Sequence, residues 1–161
     1  YNAVAWAIEN GITNGFADGT FGVNSTCTRG QSVTLLYRAL GKAPTTVNGF
    51  TDVAADAFCA DTVAWAVESG VTNGTSASTF SPNNGCTRAQ IVTFLYRMQN
   101  SPESKAENPF TDVKADAYYA NAVLWAVENG VTTGVSATTF DPAGDCTRGQ
   151  IVTFLYRCLS K

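Results

Sequence analysis

The stretch Cys27-Thr28-Arg29-Gly30-Gln31 returns as Cys86-Thr87-Arg88-Ala89-Gln90 and again as Cys146-Thr147-Arg148-Gly149-Gln150. Its side chains suggest two chemistries. A guanidinium is a planar fork that matches a carboxylate in a bidentate grip. A thiol and a carboxamide four residues apart can condense to a side-chain thioester, with sulfur displacing ammonia. The pairs are Cys27 with Gln31, Cys86 with Gln90, and Cys146 with Gln150.

Local structure offers a competing account of most of these residues. Thr-x-x-Gln is a capping box, in which the threonine hydroxyl accepts from the N3 amide and the glutamine reaches back to the N-cap amide. Cysteine at N′ ahead of Ile91 or Ile151 at N4 has the spacing of a hydrophobic staple, weaker in the first copy, where Ser32 stands. Arginine is harder to explain. At N1 it faces the positive end of the helix dipole. Arg29, Arg88 and Arg148 therefore call for either an ion pair with a neighbouring unit or an anion receptor that adds a guanidinium to free helix-start amides. Arg38, Arg97 and Arg157 fall near the end of the same helices, where a cation suits the dipole.

Several other chemistries are excluded. There is no histidine, which removes the usual general base and the Ser-His and Cys-His nucleophile pairs. The five cysteines include no C-x-x-C, so zinc-ribbon and thioredoxin-like readings fail. Glu9, Glu68 and Glu128 recur one turn before a glycine, but nothing in their spacing aims two carboxylates at one bond, as a glycosidase needs. A surface or ion-pair role suits them. The reading is of a non-enzyme with neither cofactor nor metal. A net charge of −3 argues against a nucleic-acid surface. No apolar run approaches the roughly 20 residues of a membrane span.

The elements that carry the arginines repeat three times. AVAWAIENGITNG from Ala3 matches TVAWAVESGVTNG from Thr62 and AVLWAVENGVTTG from Ala122. Each unit reads as helix, loop, helix. Gly11, Gly70 and Gly130 close the first helix as left-handed C′ residues, with Ile12, Val71 and Val131 as the apolar C″ contact. Asp56 and Asp116 are candidate N-caps. Cys59, Val63, Ala66 and Val67 form its core stripe, and Trp6, Trp65 and Trp125 read as core. Phe21, Phe80 and Phe140 anchor the loop. A helix pair of this size cannot bury an adequate core, so the three units must share one. The expected organisation is one domain over 1–161, with repeats at 1–41, 50–100 and 110–161 and linkers at 42–49 and 101–109. The first repeat lacks the FTD entry segment of the others, as expected of a mature or trimmed fragment.

These motifs resemble the S-layer homology family. FTDV, WAIENGIT, DGTF, FSP, FDP, CTRAQ and CTRGQ match its F-x-D-V entry, W-A helix, G-T-F-x-P loop and T-R-A-E or T-R-A-Q helix start, in order and three times. The resemblance implies an all-α fold, a pseudo-threefold spindle around a central three-helix bundle. It implies an extracellular, bacterial cell-wall module that holds a larger surface protein and its cargo domain non-covalently. The implied partner is a secondary cell wall polysaccharide, often ending in a pyruvylated amino sugar, seated in grooves between repeats. Arg29, Arg88 and Arg148 would clamp the pyruvyl carboxylate. Asp52 and Asp112 would hold sugar hydroxyls or order the groove. The sequence departs from the family in its cysteine before T-R, in glutamine for glutamate, and in STF and TTF for GTF. Two further readings stand beside this one: an assembly module that binds a neighbouring protein, and a thioester-bearing adhesin.

Overall fold

In the computed structural model, which describes residues 1–161, every CTRGQ-type stretch opens a helix. These are α2 (Arg29–Leu40), α4 (Arg88–Met98) and α6 (Arg148–Leu159); α1 (Asn2–Glu9), α3 (Ala60–Glu68) and α5 (Ala120–Glu128) precede them in turn. The protein is all-helical. The capping box is complete in all three copies, with Thr28, Thr87 and Thr147 each accepting from the N3 amide and Gln31, Gln90 and Gln150 each accepting from the N-cap amide. The shorter helices end as Schellman motifs. Val71 N–H donates to Ala66 O at 2.8 Å and Gly70 N–H to Val67 O at 3.0 Å, with Gly70 at φ 72°. Gly11–Ile12 and Gly130–Val131 repeat the geometry.

Two local expectations fail. Asp56 and Asp116 do not cap the shorter helices, whose N-caps are Cys59 and Tyr119 and carry no side-chain bond. Two successive turns, closed by Ala57 N–H to Ala54 O and Ala60 N–H to Ala57 O, put Asp56 ahead of the helix start. Val67 is 40% exposed, so the buried stripe of α3 stops at Ala66.

Helices adjacent in sequence are not the ones that pair. α2 packs on α3, α4 on α5, and α6 on α1, so each shorter helix lies on the long helix of the repeat before it, and the chain closes in a cycle. An aromatic pair marks each contact: Tyr37 on Trp65, Tyr96 on Trp125, and Tyr156 on Trp6, with ring centroids 5.6 to 5.7 Å apart. Trp65 and Trp125 are buried, and Trp6 is half-buried. The long helices also meet one another, α6 touching both α4 and α2. A single cluster of 34 buried side chains results, so the repeats share one core.

The cycle is written in the backbone at Cys27, Cys86 and Cys146. Cys27 N–H donates to Cys146 O at 2.9 Å, Cys86 N–H to Cys27 O at 2.8 Å, and Cys146 N–H to Cys86 O at 2.9 Å. Every donor and acceptor in this buried ring is therefore satisfied, as burial demands. The ring fixes where all three long helices begin, and so where their N1 arginines project.

Candidate functional site: the inter-repeat grooves

The amides at each long-helix start are not free. Arg29 N–H donates to Asn84 O at 2.8 Å and Gly30 N–H to Pro82 O at 2.9 Å, both carbonyls in the loop of the next repeat. Arg88 and Ala89 bond Gly144 O and Pro142 O; Arg148 and Gly149 bond Ser25 O and Val23 O. The threonine cap takes the N3 amide. The expected anion receptor therefore loses its backbone half, because a neighbouring loop has filled it. An anion at the helix start must be held by side chains.

The three guanidiniums are buried, at 3% exposure for Arg29, 5% for Arg88 and 6% for Arg148. Each crosses to the next repeat. Arg29 Nε donates to Phe80 O at 2.9 Å, Arg88 Nε to Phe140 O at 2.8 Å, and Arg148 Nε to Phe21 O at 2.9 Å. Their partners are thus carbonyls rather than the carboxylates of an ion pair. Each also lies over aromatic faces, with its central carbon 4.7 to 4.9 Å from the Phe80, Phe140 or Phe21 ring centroid. Carbonyls from one loop converge on the helix start and its arginine, and their negative ends offset the dipole that disfavours a cation there. The arginine position is explained by a bond between repeats. Burial pulls the Arg29 guanidinium below the usual arginine range, while Cys86, Tyr118 and Asp52 act against that shift.

The other nitrogens of these forks meet different fates. Arg88 Nη2 reaches Thr132 Oγ1 at 3.4 Å. Arg29 Nη2 is buried with no hydrogen-bond partner. Arg148 carries the Phe16 ring 4.4 Å from its central carbon. Two of the arginines line open grooves. One of about 380 Å³ holds Arg29 with Thr72, Thr75, Gln90, Arg97 and Tyr118. A wider one of about 790 Å³ holds Arg88 with Thr132, Gln150, Arg157 and Tyr1. Neither groove has an acidic residue in its lining.

Asp52 and Asp112 set the loop that receives each arginine. Asp52 Oδ1 and Oδ2 accept from Phe80 N–H at 2.9 Å and Ser81 N–H at 2.7 Å; Asp112 does the same for Phe140 and Asp141 at 2.9 and 2.8 Å. Ser81 and Asp141 sit in the left-handed region at φ 58° and 59°, where non-glycine residues are uncommon, and the carboxylate holds them there. In the first repeat Gly22 fills that place at φ 67°, without an aspartate. Desolvation pushes both carboxyls up. The paired amide bonds and the nearby arginine outweigh it and leave them below the ordinary carboxylate range. This geometry favours an ordering role.

The thiols point to structure too. Cys27, Cys86 and Cys146 are fully buried free thiols, and desolvation pushes Cys86 and Cys146 up to about 12. A thiol so rarely ionised is a poor nucleophile. Gln31, Gln90 and Gln150 are held by their capping bonds. Ser32, in place of a staple isoleucine, is buried and donates to Thr28 O at 2.8 Å. Arg38, Arg97 and Arg157 donate to Ile12 O, Val71 O and Val131 O at 3.3 to 3.5 Å, tying each long helix to the Schellman turn of its own repeat. Glu68 accepts from the Thr45 N–H and hydroxyl and pins the first linker.

Phe16 and Tyr118 escaped the sequence reading. Phe16 follows Gly15 where the other repeats have Thr75 and Val135, and this break in the repeat was the available signal. Arg29 and Arg88 also face a second ring, Phe94 and Phe154, from the long helix. The first repeat has Leu35 at that place, and Phe16 supplies the missing ring to Arg148.

Comparison with known proteins agrees with the repeat pattern. The S-layer homology domain model matches residues 1–31, 49–92 and 109–152. The Surface-layer 125 kDa protein of Lysinibacillus sphaericus is 32% identical over 98% of this chain and 14% of its own length. The Cell surface protein of Thermoanaerobacter kivui is 33% identical over 75% of this chain and 16% of its own. The Amylopullulanase of Thermoanaerobacterium thermosulfurigenes is 27% identical over 93% of this chain and 8% of its own. The chain thus spans a small fraction of the curated relatives it matches.

Proposed function

The chain belongs to the S-layer homology family, a family of cell-wall anchoring modules at the cell surface, and from that premise we propose that its inter-repeat grooves bind an acidic secondary cell wall polysaccharide. The observation that carries this reading is the charge of the grooves. Each open groove pairs an N1 arginine with a second arginine from the next repeat, Arg29 with Arg97 and Arg88 with Arg157, and no acidic residue lines either one. In a chain of net charge −3, two such concentrations of guanidinium suit an anion. The threonine hydroxyls and glutamine amides beside them suit sugar hydroxyls, and Tyr118 offers a ring face to a sugar.

The ligand group is a sugar-borne carboxylate, best supplied by a pyruvate ketal on an amino sugar. The Nη atoms of the fork grip the acid, while Nε stays on the loop carbonyl of the next repeat. Asp52 and Asp112 order that loop and touch the ligand only through it. The module holds a larger surface protein to the wall, as a small part of its length. Repeats 1–41, 50–100 and 110–161 act as one unit, since each groove takes residues from at least two of them.

The test is a titration of the chain with purified wall polysaccharide before and after mild acid removal of the ketal. Binding to the intact polymer with at least tenfold loss after removal is expected, the size of a charged hydrogen bond. Equal binding to both polymers would refute a carboxylate clamp.

A further inference from the structure

The three arginine sites share a plan but are not equally ready for an anion. Arg29 lines a groove of about 380 Å³ and keeps a buried Nη2 with no partner behind that lining. Buried donors are nearly always paired, and an unpaired charged one is costly. Arg88 has spent the corresponding nitrogen on Thr132. Arg148 is covered by Phe16, which substitutes for the ring that Leu35 lacks and stands in the position of Thr75 in the Arg29 groove.

Resting on the anion-binding reading above, we infer that the Arg29 groove is the principal seat of the chain, taking the carboxylate of one acidic sugar, and that Phe16 closes the Arg148 groove. A carboxylate oxygen entering the groove draws Nη2, buried in the free protein, outward into the bond the protein leaves unmade. Arg97 lies in the same lining and adds a second positive charge, and Tyr118, 64% exposed at the rim, covers the sugar ring. The Arg88 groove is wider and must exchange an existing bond for the ligand, so it binds more weakly. One chain therefore takes up one acid group tightly instead of three.

Calorimetry with a pyruvylated wall-sugar fragment reads both affinity and stoichiometry. The parent should show one tight site. Arg29→Ala should weaken it at least tenfold, Arg88→Ala by less, and Arg148→Ala not at all. Since Arg29→Ala also removes a contact between repeats, Thr75→Phe serves as a second variant. It copies Phe16 at an exposed position, leaves Arg29 in place, and should block the tight site with only a small change in the melting temperature, since the hydroxyl bonds it gives up to Thr79 and Ser81 are exposed. Phe16→Thr should open a further site. Three equal sites in the parent, or Thr75→Phe binding like the parent, would overturn the ranking while leaving the anion-binding reading intact. A parent that binds the fragment no better than its ketal-free form would overturn both.

Discussion

The ring of Cys27, Cys86 and Cys146 and the grooves around Arg29, Arg88 and Arg148 lie only two residues apart in sequence, yet the three copies agree far better in one than in the other. Around the ring the three backbone bonds differ by no more than 0.1 Å, and each capping threonine accepts from its N3 amide at 3.2 Å. At the arginines one Nη2 is buried without a partner, one is bonded and the third guanidinium lies against a further ring. The ring is closed on itself, so a change in one copy leaves a buried amide or carbonyl in the next without a partner. The groove is bounded by solvent on one side, and Phe16, Thr75 and Val135 can differ without breaking any backbone bond between repeats. Symmetry is enforced where the polar groups of one repeat are completed by another, and relaxed where water or a ligand can complete them.

The sharpest way to test this division is to damage the shared interior. Leu95 on α4 is fully buried in the common core. Leu95→Ala should cost about 2–5 kcal/mol in urea unfolding, through lost transfer energy and a residual cavity. Because the three repeats share one core, unfolding should remain a single transition. Ligand stoichiometry of the folded protein should not change. Two separate transitions would break the claim that the repeats act together.

The axis should also show itself in alkali. Desolvation raises Cys86 and Cys146 from the ordinary thiol value of 9.0 to about 12. Below pH 9 both states keep the proton. Between pH 9 and 12 the unfolded chain loses it and the folded chain does not, so stability falls as pH rises. The loss is about 1 kcal/mol per thiol by pH 10. Chemical denaturation from pH 8 to 11 should show this slope, and the double variant Cys86→Ala with Cys146→Ala should flatten it. Variants that keep the full slope would place the titrating groups elsewhere.

The parts of the molecule that could be read from the sequence are those settled within a few residues. A capping box needs Thr and Gln three apart, and a Schellman ending needs a glycine followed by an apolar residue; both stand as expected in every repeat. Helix pairing depends on contacts across the whole cycle. Tyr37 meets Trp65 of the next repeat instead of Trp6 of its own, and no local pattern distinguishes the two. Asp56 had the composition of a cap, but an extra turn after it put the helix start at Ala60. The arginines stood out because they went against the dipole. Their carbonyl partners, 51 to 127 residues away, could not be seen without the fold.

Substituting the capping threonines one at a time gives a finer measure of how equal the copies are. Thr28→Ala, Thr87→Ala and Thr147→Ala should each cost about 1 kcal/mol, the usual price of a lost N-cap. Their geometry is the same, so the three losses should agree within the error of a denaturation curve. A Thr28→Ala loss clearly smaller than the other two would trace to Ser32, whose hydroxyl already holds Thr28 O and can steady the first turn alone. That result would move the boundary between the symmetric and the variable regions inward, to the helix start.

The smallest effect should come from Asp52, at the edge between the two regions. Its carboxyl lies below the ordinary range because, although desolvation raises it, the Phe80 and Ser81 amides and the Arg29 charge outweigh that effect. A depressed folded value means that the carboxylate's stabilisation is present above the unfolded value, near pH 4, and is lost as pH falls through the lower folded value. In Asp52→Asn the carboxamide can offer an acceptor to only one of the two amides and sets a donor against the other. The acid limb below pH 4 should flatten, and stability at pH 7 should fall by the same amount, which is small because the site is exposed. Hydrogen exchange should quicken at Phe80 and Ser81 and stay unchanged at Phe21, whose loop turns on Gly22. Since Phe80 O holds Arg29 Nε, affinity in the Arg29 groove should fall slightly and the Arg148 contact should not respond. Equal quickening at Phe21 would mean that the ring transmits the disturbance around the cycle, and the grooves could then no longer be treated as three independent sites.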